Sequence, residues 1–259
     1  MIFNVNNVSF VYKKGNTVFD NVTFSAKSGE VVALLGANGS GKTTLLKCLM
    51  GYLPLQTGEI LLDGENIVKI PPRRLWQRIS YVPQARRFES SLDVRNMILL
   101  GCASRIGVFS SPGERENQLV DEIADRLGIA HLLDKKCSEI SGGELQMTLI
   151  ARALASEPEL LILDEPESNL DFRNQLIVLD TVSSLAKDGM TCILSTHYPD
   201  HALNRADKSL LLTKDGVIFG KTREIVTREN IRRVFGVDAV IGSVNGYSTV
   251  IPTKLNNMV

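Results

Sequence analysis

The sequence is expected to fold as an α/β protein. It should have a parallel sheet at its core, an antiparallel β subdomain at the N-terminal end and a helical subdomain inserted midway. Three observations lead there. Apolar runs at 31–35 and 160–163 and the run at 191–195 read as strands buried in a parallel sheet. Runs at 5–12 and 18–25 read as strands of an antiparallel pair. From about 92 to 156 the pattern turns helical, broken by Gly107, Pro112, Gly113 and the Gly142-Gly143 pair.

Taken in order, the first two strands are joined by a turn around 13–16. The apolar strand ending at Leu35 runs into a glycine-rich loop and a helix from 42 to about 51. Strands follow at 60–62 and 79–82, with a short helix over 71–77 between them. The inserted region carries helices at 92–100, 114–127 and 144–155. The core resumes with strands at 160–163 and 191–195 flanking an amphipathic helix over 172–186. Short strands at 209–213 and 217–220 come next, and the tail after about 222 reads as helical, then irregular. The chain is thus expected to be a single domain, 1–259. Its core and β subdomain span 1–87 and 157–221, its helical subdomain 88–156 and its tail 222–259.

Charge narrows the partners. Lys plus Arg and Asp plus Glu both number 29, so the formal net charge is zero. A nucleic-acid binder shows a basic excess or a basic run, and neither is present, so no nucleic-acid partner is expected. Cys48, Cys102, Cys137 and Cys192 are far apart and none forms a C-x-x-C pair, which fits buried thiols in a reducing compartment. The N-terminus has no basic stretch followed by an apolar one, and no apolar run approaches the ~20 residues of a membrane helix. Work in transport would therefore need another chain to supply the membrane path.

Gly36-Ala37-Asn38-Gly39-Ser40-Gly41-Lys42-Thr43 fits G-x-x-x-x-G-K-[ST], between a strand and a helix that Thr44 continues. The glycines let backbone N–H groups turn inward around phosphate oxygens, and the helix points its positive end at the same anion. Lys42 can reach β/γ oxygens and the Thr43 hydroxyl can ligate Mg²⁺. Leu160-Leu161-Ile162-Leu163-Asp164-Glu165-Pro166 places two carboxylates at the C-terminal end of a buried strand, where open α/β sheets bind ligands. Asp164 can hold Mg²⁺ through water, and Glu165 can polarise an attacking water as general base.

Three further motifs give the sequence a family resemblance. Ile140-Ser141-Gly142-Gly143-Glu144 resembles the signature motif of ATP-binding cassette (ABC) proteins. Tyr81-Val82-Pro83-Gln84 resembles their Q-loop and Thr196-His197 their switch histidine, all in the family's order along the chain. The resemblance covers nearly all of 1–235 and implies a P-loop NTPase (RecA-like) core that hydrolyses MgATP. It implies that Tyr12 stacks on adenine with Val18 beside the ribose, and that Gln84 contacts Mg²⁺ or the attacking water. It implies that His197 bonds the γ-phosphate, and that Ser141, Gly142, Gly143 and Glu144 close on the nucleotide of a second copy. Ser168-Asn169-Leu170-Asp171 resembles the D-loop, with Asp171 crossing the interface of a two-fold homodimer. The segment around 88–100, linked through Gln84, is expected to pass the opening after hydrolysis on to membrane subunits. Ile140, Glu144 and Glu167 stand where leucine, glutamine and threonine are usual.

A single cassette without membrane helices is similar to the subunits of bacterial importers. The segments 63–67, 72–75 and 78–84, Met97-Ile98-Leu99-Leu100-Gly101 and the tail segments 227–231 and 234–237 look like the importers of iron–siderophore, haem and vitamin B12. Glu144-Leu145-Gln146 and Gly220-Lys221-Thr222-Arg223 look like the molybdate members. That resemblance implies uptake of a metal chelate or metal oxyanion. The chain would be peripheral on the cytoplasmic side of the cell (inner) membrane, beneath multi-helix permease subunits fed by an extracytoplasmic substrate-binding protein. The alternatives are an exporter subunit and a soluble ABC ATPase outside transport.

Overall fold

The computed structural model describes residues 1–12, 15, 17–84, 91–106, 111–213 and 215–255. The turn expected at 13–16, the break at Gly107 and the start of the segment at 88–100 lie wholly or partly outside them. In chain order come β1 (Ile2–Val11), β2 (Thr17–Lys27), β3 (Val31–Leu35), α1 (Lys42–Leu49), β4 (Thr57–Leu62) and β5 (Glu65–Asn66). Then follow α2 (Pro72–Arg78), β6 (Ile79–Val82), α3 (Val94–Leu99), α4 (Glu114–Arg126), α5 (Gly142–Leu154), β7 (Leu160–Asp164) and α6 (Phe172–Lys187). The chain ends with β8 (Thr191–Thr196), α7 (Pro199–Arg205), β9 (Lys208–Thr213), β10 (Gly216–Lys221), α8 (Thr222–Ile225), α9 (Arg228–Phe235), β11 (Val237–Val244) and β12 (Tyr247–Leu255).

Two compact units emerge: Met1–Lys69 with Ala186–Val259, and Ile70–Leu185. The first holds an antiparallel sheet ordered β2-β1-β4-β5. Along β2 every second residue from Phe24 to Ala26 and the pair Phe19 and Val22 turn inward, as a one-faced sheet requires. Its second sheet sets β3 parallel to both β8 and β9, with β10 antiparallel on β9. All residues of β3 and β8 are buried, which explains the unbroken apolar run of β3 and the apolar centre of β8. The second unit pairs β6 and β7 in parallel and carries α3, α4 and α5.

The tail differs from expectation. Residues 237–255 are not irregular: β11 and β12 form an antiparallel hairpin closed at Asn245-Gly246, both at positive φ. The inner side of this hairpin completes a core layer in which Ala239, Ile231, Val234 and Val226 pack with Leu35, Leu203 and Leu211. Asn204 of α7 clamps it, donating from Nδ2 to the Ser248 carbonyl and accepting the Ser248 N–H, each at 2.8 Å. The short helix α7 was also absent from the sequence reading; Pro199 at its first position starts it.

Candidate functional site

The expected site residues fall in both units. In the first, β3 ends at Leu35 and delivers the chain into the glycine loop. Gly41 takes φ 95°, and a Cβ there would lie 2.5 Å from Val18 Cγ1, so only glycine lets β2 approach the loop. Helix α1 begins at Lys42 with no side-chain cap and no acidic residue in its first turn. Its leading N–H groups and positive end therefore remain available to an anion. Lys42 is buried, 5% exposed, and its Nζ donates to the Gly36 carbonyl at 2.9 Å and the Ala37 carbonyl at 3.3 Å. The loop's own carbonyls thus aim the ammonium. Ser40 Oγ is buried with no hydrogen-bond partner among the described residues. A buried hydroxyl in that state is costly, and a phosphate oxygen would satisfy it. Asn38, Gly39 and Thr43 are exposed at the loop surface.

Tyr12 stands half exposed, edge-on to Phe10 with ring centres 4.9 Å apart, and its hydroxyl lies 3.1 Å from Thr44 Oγ1. The tyrosine ring and the loop helix are thereby joined. The register of β3 and β8 puts Leu35 opposite Thr196, so Gly36 and His197 leave neighbouring parallel strands at the same end. The His197 ring packs on Tyr198, centres 4.1 Å apart, and Tyr198 packs in turn on His201 at 4.7 Å.

In the second unit the register of β6 and β7 sets Val82 opposite Leu163. Gln84 and Glu165 therefore follow adjacent strand ends. Asp164 is 7% exposed and its Oδ2 accepts the Tyr81 hydroxyl at 3.3 Å. Glu165 adopts φ 46°, a left-handed conformation unusual for a residue with a side chain. The turn is held by Ser168, whose N–H donates to the Glu165 carbonyl at 3.1 Å and whose Oγ donates to Glu165 Oε2 at 3.2 Å. Backbone held in a costly conformation by its surroundings is a mark of functional sites.

Helix α5 starts at the expected signature. Ser141 caps it, accepting the Glu144 N–H at 3.3 Å, while Glu144 Oε2 accepts the Ser141 N–H at 2.7 Å. That backbone bond, reinforced by the serine hydroxyl, lowers the Glu144 pKa from its ordinary value. Ser141 and Gly142 are exposed and Gly143 is buried. Asp171 caps α6, accepting the Asn174 N–H at 2.8 Å.

Each unit thus gathers its own share of the expected residues. Tyr12, Val18, the loop from Gly36 to Thr44 and His197 belong to the first, and Gln84, Ser141–Glu144, Asp164, Glu165 and Asp171 to the second. Sequence reasoning assigned no role to Tyr81 on Asp164, Ser168 on Glu165 or Asn174. An Asn three residues after Asp171 carries the N-cap pattern and could have been found; the other two depend on strand register and turn closure.

Among the described residues no helix is long and apolar enough to cross a membrane, and no cluster of three or more His, Cys, Asp or Glu could hold a metal. Thr43 in the first unit, and Gln84 and Asp164 in the second, each carry a side-chain oxygen of the kind that suits a hard cation such as Mg²⁺ rather than a soft one.

A family model described as ABC transporter matches residues 19–168. An uncharacterized ABC transporter ATP-binding protein of Methanocaldococcus jannaschii is 39% identical over 97% of this chain and 98% of the relative. The molybdate import ATP-binding protein MolC of Haemophilus influenzae is 37% identical over 89% of this chain and 87% of its own. Among solved structures, a chain of a metal-chelate type ABC transporter in an inward-facing conformation is 33% identical, with a TM-score of 0.86 over 98% of both chains.

Proposed function

Since this chain belongs to the ABC transporter family, as an ATP-binding and ATP-hydrolysing subunit, we propose that it energises uptake of a metal chelate or metal oxyanion across the cell membrane. The observation that carries the ATPase reading is the loop itself: a buried Lys42 aimed by the Gly36 and Ala37 carbonyls at the mouth of an uncapped helix. The likeness to a molybdate import protein and to a metal-chelate type transporter supports the substrate class and the inward direction.

In this reading two copies enclose two ATP molecules. Tyr12 and Val18 seat the base and ribose, the N–H groups of Gly36, Asn38, Gly39, Ser40, Gly41, Thr43 and Thr44 hold phosphate, and Lys42 meets the β/γ oxygens. Ser141, Gly142, Gly143 and Glu144 of the other copy close on the γ-phosphate, and Asp171 crosses beside them. Phe172 is 92% exposed and Leu176 51%, an apolar pair next to Asp171 that a second copy would cover. Glu165 takes the proton of the attacking water and His197 orients that water against the γ-phosphate. Mg²⁺, held by Thr43, Gln84 and Asp164, would neutralise charge developing on the β/γ oxygens. Loss of the γ-phosphate removes the anion joining the two copies and the pair opens. Permease subunits supply the membrane path, with this chain peripheral on the cytoplasmic side and an extracytoplasmic binding protein delivering substrate.

The test is capture of the tagged chain from detergent-solubilised membranes of its host, followed by reconstitution of what co-purifies. ATP-dependent accumulation of molybdate or an iron chelate in vesicles, lost with Lys42→Ala, is the expected result. A membrane partner that needs no binding protein and moves solute outward would replace import with export. Recovery of soluble partners alone would remove transport and leave the ATPase standing.

A further inference from the structure

We propose that Asn174 is a positioning residue that locks the signature motif to the D-loop, so that Ser141 and Asp171 reach the partner copy's nucleotide as one piece. The inference rests on reading both segments as parts of a site completed in trans, and it adds a residue to which neither motif points.

Gly143 is buried at the second position of α5. A Cβ built on it would run into the Asn174 carboxamide, 2.5 Å from Oδ1, 2.6 Å from Nδ2 and closer still to Cγ. The signature backbone therefore lies directly against that side chain with no room for a methyl group. On its other side the same carboxamide holds the D-loop. Asn174 N–H donates to Asp171 Oδ1 at 2.8 Å and Asn174 Nδ2 donates to Oδ2 at 3.1 Å, so one residue engages both carboxylate oxygens. The Gln175 N–H closes the turn on the Asp171 carbonyl at 2.9 Å. Leu170 lies nearby, its Cδ2 3.9 Å from where a Gly142 Cβ would lie.

The chemistry of position 174 is restrictive. It needs a donor to satisfy the second Asp171 oxygen, a flat end to pass beneath a glycine backbone, and no negative charge. Asp would set two carboxylates together, Leu would lack the donor, and Ser would not span the gap. The glycine and the asparagine are a matched pair: the first creates the space that the second fills. Because a packed contact of this kind cannot slide without opening a void or a clash, a shift of the D-loop must carry the start of α5 with it. If Asn174 only capped α6, its replacement would cost stability and leave turnover per folded molecule unchanged.

The experiment is a double-mutant cycle on ATP turnover in the transporter complex, with wild type, Gly143→Ala, Asn174→Ala and the double variant, and Lys42→Ala as a control. Binding of a fluorescent ATP analogue to the P-loop is measured alongside. Gly143→Ala should lower kcat by at least about tenfold, within the coupling range of residues in direct contact. The double variant should return to within about threefold of Asn174→Ala, because the added methyl then has space. Asn174→Asp, which keeps the shape and reverses the polarity toward Asp171, should lower kcat with the KM for ATP and analogue binding unchanged. Losses that simply add in the double variant, or an Asn174→Asp complex with wild-type kcat, would overturn the proposal. A wild-type complex with no turnover sensitive to Lys42→Ala would instead sink the ATPase reading beneath it, so the two failures are distinguishable.

Discussion

The two acids at the end of β7 and just beyond it are treated differently by their surroundings. Asp164 is buried with the Tyr81 hydroxyl on one oxygen, a setting that fixes a carboxylate in place. Glu165 lies past the strand in a left-handed turn that Ser168 pins, so its direction comes from the backbone. Glu165→Gln retains the shape of that turn and removes the base. It should bind ATP normally and hydrolyse it at least ~10²-fold more slowly in a single-turnover assay; near-normal turnover would take Glu165 out of its role. Lys42→Ala removes a cation already oriented by two carbonyls. It should act earlier, raising the ATP dissociation constant itself, as an equilibrium titration would read.

Helix α5 stops and starts on its own chemistry. The Ser141–Glu144 capping box satisfies two N–H groups at its first turn. A carboxylate whose pKa is lowered on folding adds stability that is complete above its unfolded value and lost as pH falls through the folded one. The ordinary value is 4.5, so the contribution of Glu144 is intact at neutral pH and disappears in the acid limb below that value. Glu144→Gln keeps an acceptor without the titration, and its urea stability should fall less steeply on acidification than that of wild type. Helix α9 tests a different link. Ile231 is 1% exposed and ties α9 to the layer containing Leu35 and Leu211. Ile231→Ala should cost about 2–4 kcal/mol by urea denaturation; a cost under ~1 kcal/mol would detach the tail from the core.

Across the chain, the proposed assembly of two copies draws support from surface exposure. Ser141 and Gly142 are exposed, Asp171 is exposed, and the apolar side chains of Phe172 and Leu176 lie uncovered beside it. With hydrolysis blocked by Glu165→Gln, ATP should convert the chain to a dimer on size-exclusion chromatography, and Lys42→Ala should prevent that. A Glu165→Gln protein that stays monomeric at saturating ATP, both alone and with its membrane subunits, would contradict closure by the nucleotide. Exchange of Asp171 for Ala should weaken the ATP-induced dimer while leaving analogue binding to the monomer unchanged.

The amino-acid sequence determined what is local. A glycine loop between strand and helix, carboxylates after a buried apolar strand and an S-x-x-E cap each fit within a few consecutive residues, so propensity and spacing suffice to read them. The ATP chemistry followed from the loop and the carboxylates, the family from the resemblance carried by residues 81–84, 140–144 and Thr196-His197, and the comparisons agree with both. Contacts between distant segments settled the rest. The hairpin of β11 and β12 was illegible because its outer face keeps Val240, Val244, Tyr247 and Ile251 exposed, which blurs the alternation that marks a half-buried strand. It forms by pairing with itself and packing on α7 and α9. Likewise nothing near Gly143 announces Asn174. Their approach exists only because the starts of α5 and α6 meet within one unit, where close packing brings far-apart residues within van der Waals reach.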